Sequence, residues 1–195
     1  MGGWWGGGWI SEVPETTYSP GIHTLGGLHP ESSSCLNRLV TAIEIAREPY
    51  GSPVTRPLTD AQAKELVERY GGWEGAGSEP APELFDDPDG YFLVARLNGS
   101  PVGCAGICRC EGEQTAELRR MYVAPEARRL GIARALMTAL EEKARELGYQ
   151  TLRLETGPEQ PEAVRLYETS GFTVIPNFGP YSGQRRSICM EKTLL

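Results

Sequence analysis

Residues 116–147 constrain this chain more than any other stretch. Ala116 to Val123 is a Leu- and Val-bearing, strand-like run. Gly131 to Leu147 repeats apolar residues at helical spacing, with Ile132, Leu136, Ala139, Leu140 and Leu147 on one face. Between them lies Arg128-Arg129-Leu130-Gly131-Ile132-Ala133. A strand that passes through a glycine-bearing loop into a helix makes an anion site, because the first helical N–H groups lack intrahelical partners and sit at the positive end of the dipole. Gly131 and Ala133 are small enough for a phosphate to approach that backbone, and Arg128, Arg129 and Arg134 add positive charge. Residues 128–134 therefore read as a pyrophosphate cradle. Taken alone, R-x-x-G-x-A fits a plain strand-to-helix turn with a solvated basic face better than a cradle, and it is the surroundings that reverse the balance. The chain carries neither a Walker loop nor a Rossmann glycine turn, so nucleoside-triphosphate and nicotinamide readings lose their main support.

The rest of the chain gives this unit a sheet to sit in. Thr41 to Ala46 reads as a first strand. Thr59-x-x-Gln62 is a capping box that opens a helix with Ala63, Leu66, Val67 and Tyr70 along one side, stopped at Gly71-Gly72. A helical turn follows near Pro82 to Phe85. Tyr91 to Leu97 and Val102 to Cys110 form a hairpin about Asn98-Gly99, and Ala116 to Val123 completes a meander. After the long helix come a strand at Thr151 to Thr156 and a helix at Pro161 to Ser170. Two closing strands, Phe172 to Ile175 and Ser187 to Glu191, flank a Pro- and Gly-bearing loop. The strands at 116–123 and 151–156 would be parallel neighbours through a right-handed crossover. That puts the cradle at a strand's C-terminal end, where open α/β sheets bind ligands.

Composition narrows the partners. The net charge of −7 argues against an extended nucleic-acid or anionic-membrane surface, and suits a cationic or small polar substrate with a local basic patch for phosphate. Five Cys (35, 104, 108, 110 and 189) are an odd set for a disulfide framework, and Cys108-x-Cys110 lacks zinc spacing. They read as small buried hydrophobes in a reducing cytoplasm, with no metal. No stretch approaches the ~18 apolar residues of a membrane span. The first Lys or Arg is Arg38, so the start is not that of a signal peptide, and Gly6 stands where a myristoylation signal wants Ser or Thr. Residues 1–37, Gly-, Trp-, Ser- and Pro-rich without periodicity, read as a disordered tail ahead of one domain over 38–195.

Three motifs in this order, Glu117-Leu-Arg-Arg-Met-Tyr-Val123, Arg128-x-x-Gly131-x-Ala133 and Ala163-x-x-Leu166-Tyr167-x-x-x-Gly171-Phe172, resemble the GNAT family of acetyl-CoA-dependent N-acetyltransferases. The resemblance covers about residues 40–195 and is most specific over 116–173. It implies an α/β fold whose central mixed, twisted sheet has two splayed parallel strands, flanked by helices. Acetyl-CoA would enter that gap as co-substrate. The backbone of Met121, Tyr122 and Val123 would pair with its pantetheine arm, and the Val123 N–H would face the thioester carbonyl. Residues 128–134, Leu130 and Ile132 included, would hold the pyrophosphate. Gln160 stands where many relatives carry Asn at a cofactor contact.

The resemblance also implies catalytic roles. Tyr167 matches the family's general acid, which protonates the departing thiolate. Glu117 sits where members with a strand-borne carboxylate place the general base, and desolvation in a cleft raises a carboxylate's pKa toward that task. Glu155 is the competing carboxylate, assigned to the acceptor site. His23 and His29 fall in the tail, which leaves His catalysis aside. Phe178-Gly179-Pro180-Tyr181 with Arg185-Arg186 looks like a bacterial subgroup with small-molecule acceptors. Tyr181 and Arg185 would then touch substrate, the arginines clamping a carboxylate. The expected activity is acetyl transfer to a small-molecule amine by direct attack in a ternary complex. A protein lysine or N-terminal acceptor, or a non-catalytic acyl-CoA-binding module, are the rivals, and a homodimer is left open.

Overall fold

The computed structural model of the protein describes residues 42–72, 79–110, 112 and 114–194. The expected tail over 1–37, with His23, His29 and Cys35, lies outside them. Among the described residues the elements follow the expected order: strand, helix, three-strand meander, long helix, strand, short helix, two strands. Seven strands make one mixed sheet in the order β1-β2-β3-β4-β5-β7-β6. They are β1 (Ile43–Arg47), β2 (Tyr91–Leu97), β3 (Ser100–Arg109), β4 (Thr115–Val123), β5 (Thr151–Thr156), β6 (Thr173–Ile175) and β7 (Ile188–Thr193). Three α-helices cover it: α1 (Arg56–Arg69), α2 (Ile132–Glu146) and α3 (Pro161–Thr169). None of these helices is long and apolar enough to cross a membrane.

Local chemistry sets the boundaries. Asn98 and Gly99 both take left-handed φ, +51° and +83°, the two-residue turn that matches strand twist. Pairing of Leu97 with Ser100 then starts β3 at Ser100 rather than Val102, and Pro101 is accommodated at a bulge facing Ala95 and Arg96. β1 runs on to Arg47, which pairs with Leu93, and β7 runs from Ile188 to Thr193, past the expected end at Glu191.

Helix α1 corrects the expected capping box. It begins at Arg56, not Thr59, because Pro57 presets the first turn and Ser52 Oγ accepts the N–H groups of Val54 (3.3 Å) and Thr55 (3.2 Å). Thr59 lies inside the helix, its hydroxyl donating to the Arg56 carbonyl at 3.0 Å. Gln62 turns instead to β4, where its Nε2 donates to the Met121 carbonyl at 3.0 Å.

Two apolar layers sandwich the sheet. On one side α2 buries Ile132, Leu136, Met137, Leu140 and Ala144 against Ile107, Leu118 and Leu152, with Tyr167 of α3 and Phe172 completing the layer. On the other, Tyr50, Phe85 and Phe92 pack ring to ring at 4.8–5.1 Å beside Leu58, Val94 and Cys104. The buried thiols behave as apolar filler: burial pushes Cys104 up to about 12 and Cys108 up to about 11.

Candidate active site

The site starts from a break in strand pairing. β4 and β5 are parallel and pair only from Thr115↔Thr151 to Leu118↔Leu154. Beyond that point Arg120 takes a left-handed φ of +58°, and the β3–β4 register shifts between Cys104 and Gly106. This bulge turns the rest of β4 away from β5. The strands splay, as expected from the sequence, and the gap is lined by Met121, Tyr122 and Val123 on one lip and Thr156 on the other. The Ala124 N–H bonds the Val102 carbonyl at 2.8 Å toward β3. By strand alternation the Val123 N–H therefore points the other way, into the gap.

A groove of about 760 Å³ runs from this gap to the start of α2. Its walls include Arg128, Arg129, Gly131, Ile132, Ala133, Arg134 and Gln160; Leu130 is turned outward and 48% exposed. Gly131 caps α2 at φ +85°, a conformation that favours glycine, and nothing lies within 4 Å of where a side chain would begin. The room beside free helical N–H groups fits a phosphate. Arg128 is not free to swing there: its Nε donates to the Val123 carbonyl (2.9 Å) and its Nη2 to Glu65 (2.5 Å). The exposed charges at the cradle are Arg129 and Arg134.

A second cavity, of about 310 Å³, meets the groove at Met121 and Gln160. Its wall carries Gln62, Arg119, Glu155, Tyr167, Tyr181 and Arg186. Tyr70 on this wall packs directly on Gly157, where a β-carbon would fall 1.8 Å from its hydroxyl. Tyr167 is buried edge-on against Phe172, and burial, with Glu155 nearby, raises its phenol above the ordinary range, so it stays protonated. Its hydroxyl has no hydrogen-bond partner among the described residues.

The two candidate carboxylates part company. Glu155 lines the cavity; burial raises its carboxyl above the usual carboxylate range, and Ser187 Oγ donates to its Oε1 at 2.7 Å. Glu117 is buried, 8% exposed, and accepts the Tyr181 hydroxyl at 2.6 Å; it sits behind Tyr181 rather than on the cavity wall. The arginine pair also divides. Arg185 is exposed and off the wall, whereas Arg186 lines the cavity, bonded to Glu159 through Nε (3.0 Å) and Nη2 (2.6 Å) and stacked over Tyr70. Sequence reasoning missed Gln62 and Arg119, which also reach this wall.

The profile of the Acetyltransferase (GNAT) family matches residues 56–172. The chain belongs to the GNAT family. Over 157 residues it is 39% identical to the IAA acetyltransferase of Azospirillum brasilense, covering 78% of this chain and 98% of that one. A solved structure from Klebsiella pneumoniae, described as an acyl-CoA N-acyltransferase, superposes with a TM-score of 0.64 at 30% identity, over 78% of this chain and 98% of that one. A GNAT acetyltransferase of Elizabethkingia anophelis with acetyl-CoA bound shares the fold at 20% identity and a TM-score of 0.55, over 77% and 97% of the two chains. This GNAT protein is accordingly an acetyl-CoA-dependent N-acetyltransferase with an α/β fold.

Proposed function

We propose that this GNAT enzyme acetylates the amine of a small molecule by direct attack within a ternary complex. The observation that carries the reading is the meeting of groove and cavity at Met121 and Gln160, with Tyr167 and Glu155 both on the cavity side of the junction. Acetyl-CoA, lying along the groove, supplies an activated thioester. The acceptor enters as an ammonium with no lone pair, and Glu155, ionised above its raised pKa, takes its proton. The amine nitrogen then bonds to the carbonyl carbon while the C–S bond breaks. The Val123 N–H donates to the carbonyl oxygen as charge builds there. Tyr167, held neutral by burial, gives its proton to the leaving sulfur and takes back the surplus proton of the acetylated nitrogen, leaving CoA thiol and a neutral amide. Glu117 takes a different part in this reading: it fixes Tyr181, and so the β6–β7 loop that walls the cavity.

Release of CoA thiol, measured across amines, amino acids and lysine-bearing peptides, tests the reading. Turnover with small acceptors and none with peptides is expected. Turnover confined to peptides would overturn it.

A further inference from the structure

The chain carries a net charge of −7, yet its acceptor cavity is locally cationic: Arg119, Arg120 and Arg186 line it against one carboxylate, Glu155. Two of these arginines have good oxygen partners. Arg120 Nη2 lies 3.2 Å from Glu79, and Arg186 is doubly bonded to Glu159. Arg119 is different. Its Nε stands 3.7 Å from Glu117 Oε1, an oxygen that already accepts the Tyr181 hydroxyl at 2.6 Å. Its further partner is the Cys108 thiol, a weak one. The side chain keeps 26% of its surface exposed, and it lines the cavity. A guanidinium offers five donors in a fixed fork, and beyond the long contact to Glu117 and the Cys108 thiol this one has no oxygen partner among the described residues. Glu117 answers this partly buried cation only at long range, so a closer anion would repay more of its lost hydration. Across the same cavity Glu155 has one oxygen held by Ser187 and feels the charge of Arg119.

We propose that the acceptor is a small aminocarboxylate, with its carboxylate docked on the Arg119 fork and its amine presented to Glu155. This rests on the small-amine reading above and narrows it. A cavity of about 310 Å³ holds a molecule of amino-acid size. A ligand that brings both charges answers Arg119 and Glu155 together, which a simple amine cannot do. A polycationic acceptor would set ammonium groups against Arg119 and Arg186.

The test compares an α-amino acid with its carboxamide and its decarboxylated amine, using the full-length enzyme and saturating acetyl-CoA. The carboxamide has the most free base near neutral pH, so a preference for the acid cannot come from intrinsic reactivity. The acid is expected to show kcat/KM about 10- to 100-fold above both analogues, the range of a charge-assisted pair. Arg119→Gln should bring the acid-to-carboxamide ratio near one, chiefly through KM for the acid. Arg119→Lys, which keeps the charge and loses the fork, should fall between and serves if the Gln variant does not fold. Equal use of acid and carboxamide by the wild-type enzyme overturns the proposal while leaving the small-amine reading standing. An Arg119→Gln enzyme that keeps the full ratio overturns it as well. Turnover of peptides alone removes both.

Discussion

The Tyr181 hydroxyl donates to Glu117 Oε1 at 2.6 Å, joining the β6–β7 loop to β4 across 64 positions of sequence. The bond hides a strand carboxylate and at the same time fixes one wall of the acceptor cavity. Arg153 over the Phe178 ring, and the Phe178–Tyr181 edge contact, brace the same loop from below.

A positioning role for Glu117 has a kinetic signature that a general base does not share. Glu117→Gln keeps an oxygen for the Tyr181 hydroxyl and should retain kcat and its pH profile. Glu117→Ala and Tyr181→Phe should each raise the acceptor KM by about tenfold, as loss of a charge-assisted hydrogen bond would, and their effects should not add in the double variant. A Glu117→Gln enzyme with kcat down about 10²-fold and KM unchanged would make Glu117 the base after all.

Tyr167→Phe should lower kcat by about 10²-fold with little change in acetyl-CoA affinity, because only the proton for the leaving sulfur is lost. Steady-state kinetics alongside titration calorimetry measures both. Wild-type kcat in this variant would return Tyr167 to a packing role beside Phe172.

Glu155→Gln should lose activity and gain stability. Burial raises the Glu155 carboxyl in the folded state, so the folded protein holds this proton more tightly than the unfolded chain does. The stability tied to that proton is fully present below the unfolded carboxylate pKa and is lost as pH rises through the folded one. At pH 7.5 the buried charge is therefore a cost that Gln removes, while Gln still accepts from Ser187. Melting curves should place the variant above the wild type at neutral pH, the two converging in acid. A variant that melts lower at pH 7.5 would contradict this.

The cradle can be tested without disturbing the helix. Gly131 has φ +85°, which Asn and Asp tolerate better than other residues, and there is open space beyond its α-carbon. Gly131→Asn should bind acetyl-CoA with modest loss, and Gly131→Asp should bind about tenfold more weakly than Asn, since only the second sets a negative charge at the helix N-terminus. Equal affinities would move the pyrophosphate elsewhere.

Much of this was legible in the residues. Thr151–Thr156 alternates between half-buried and buried positions and forms β5 over the expected span, and Asn98-Gly99 dictated its own turn. The start of α1 departs from the expected Thr59 because the Ser52 hydroxyl and Pro57 set the turn before it. Gln62 settles the matter by bonding Met121, a partner 59 positions away that no local pattern contains. The division between Glu117 and Glu155 was hidden for the same reason. Both are strand carboxylates in sequence, and only the distant loop bearing Tyr181 decides which one meets the cavity.

The bulge at Arg120 has a mechanical consequence. Because β4 parts from β5 after Leu118, the sheet behaves as two leaves bound along a spine that runs from Thr115↔Thr151 to Leu118↔Leu154. A strand-like molecule laid between the leaves would act as a brace, adding rungs to both edges at once. Amide exchange along residues 119–123 and 155–156 should then slow in concert when the gap fills, each leaf stiffened by the same occupant.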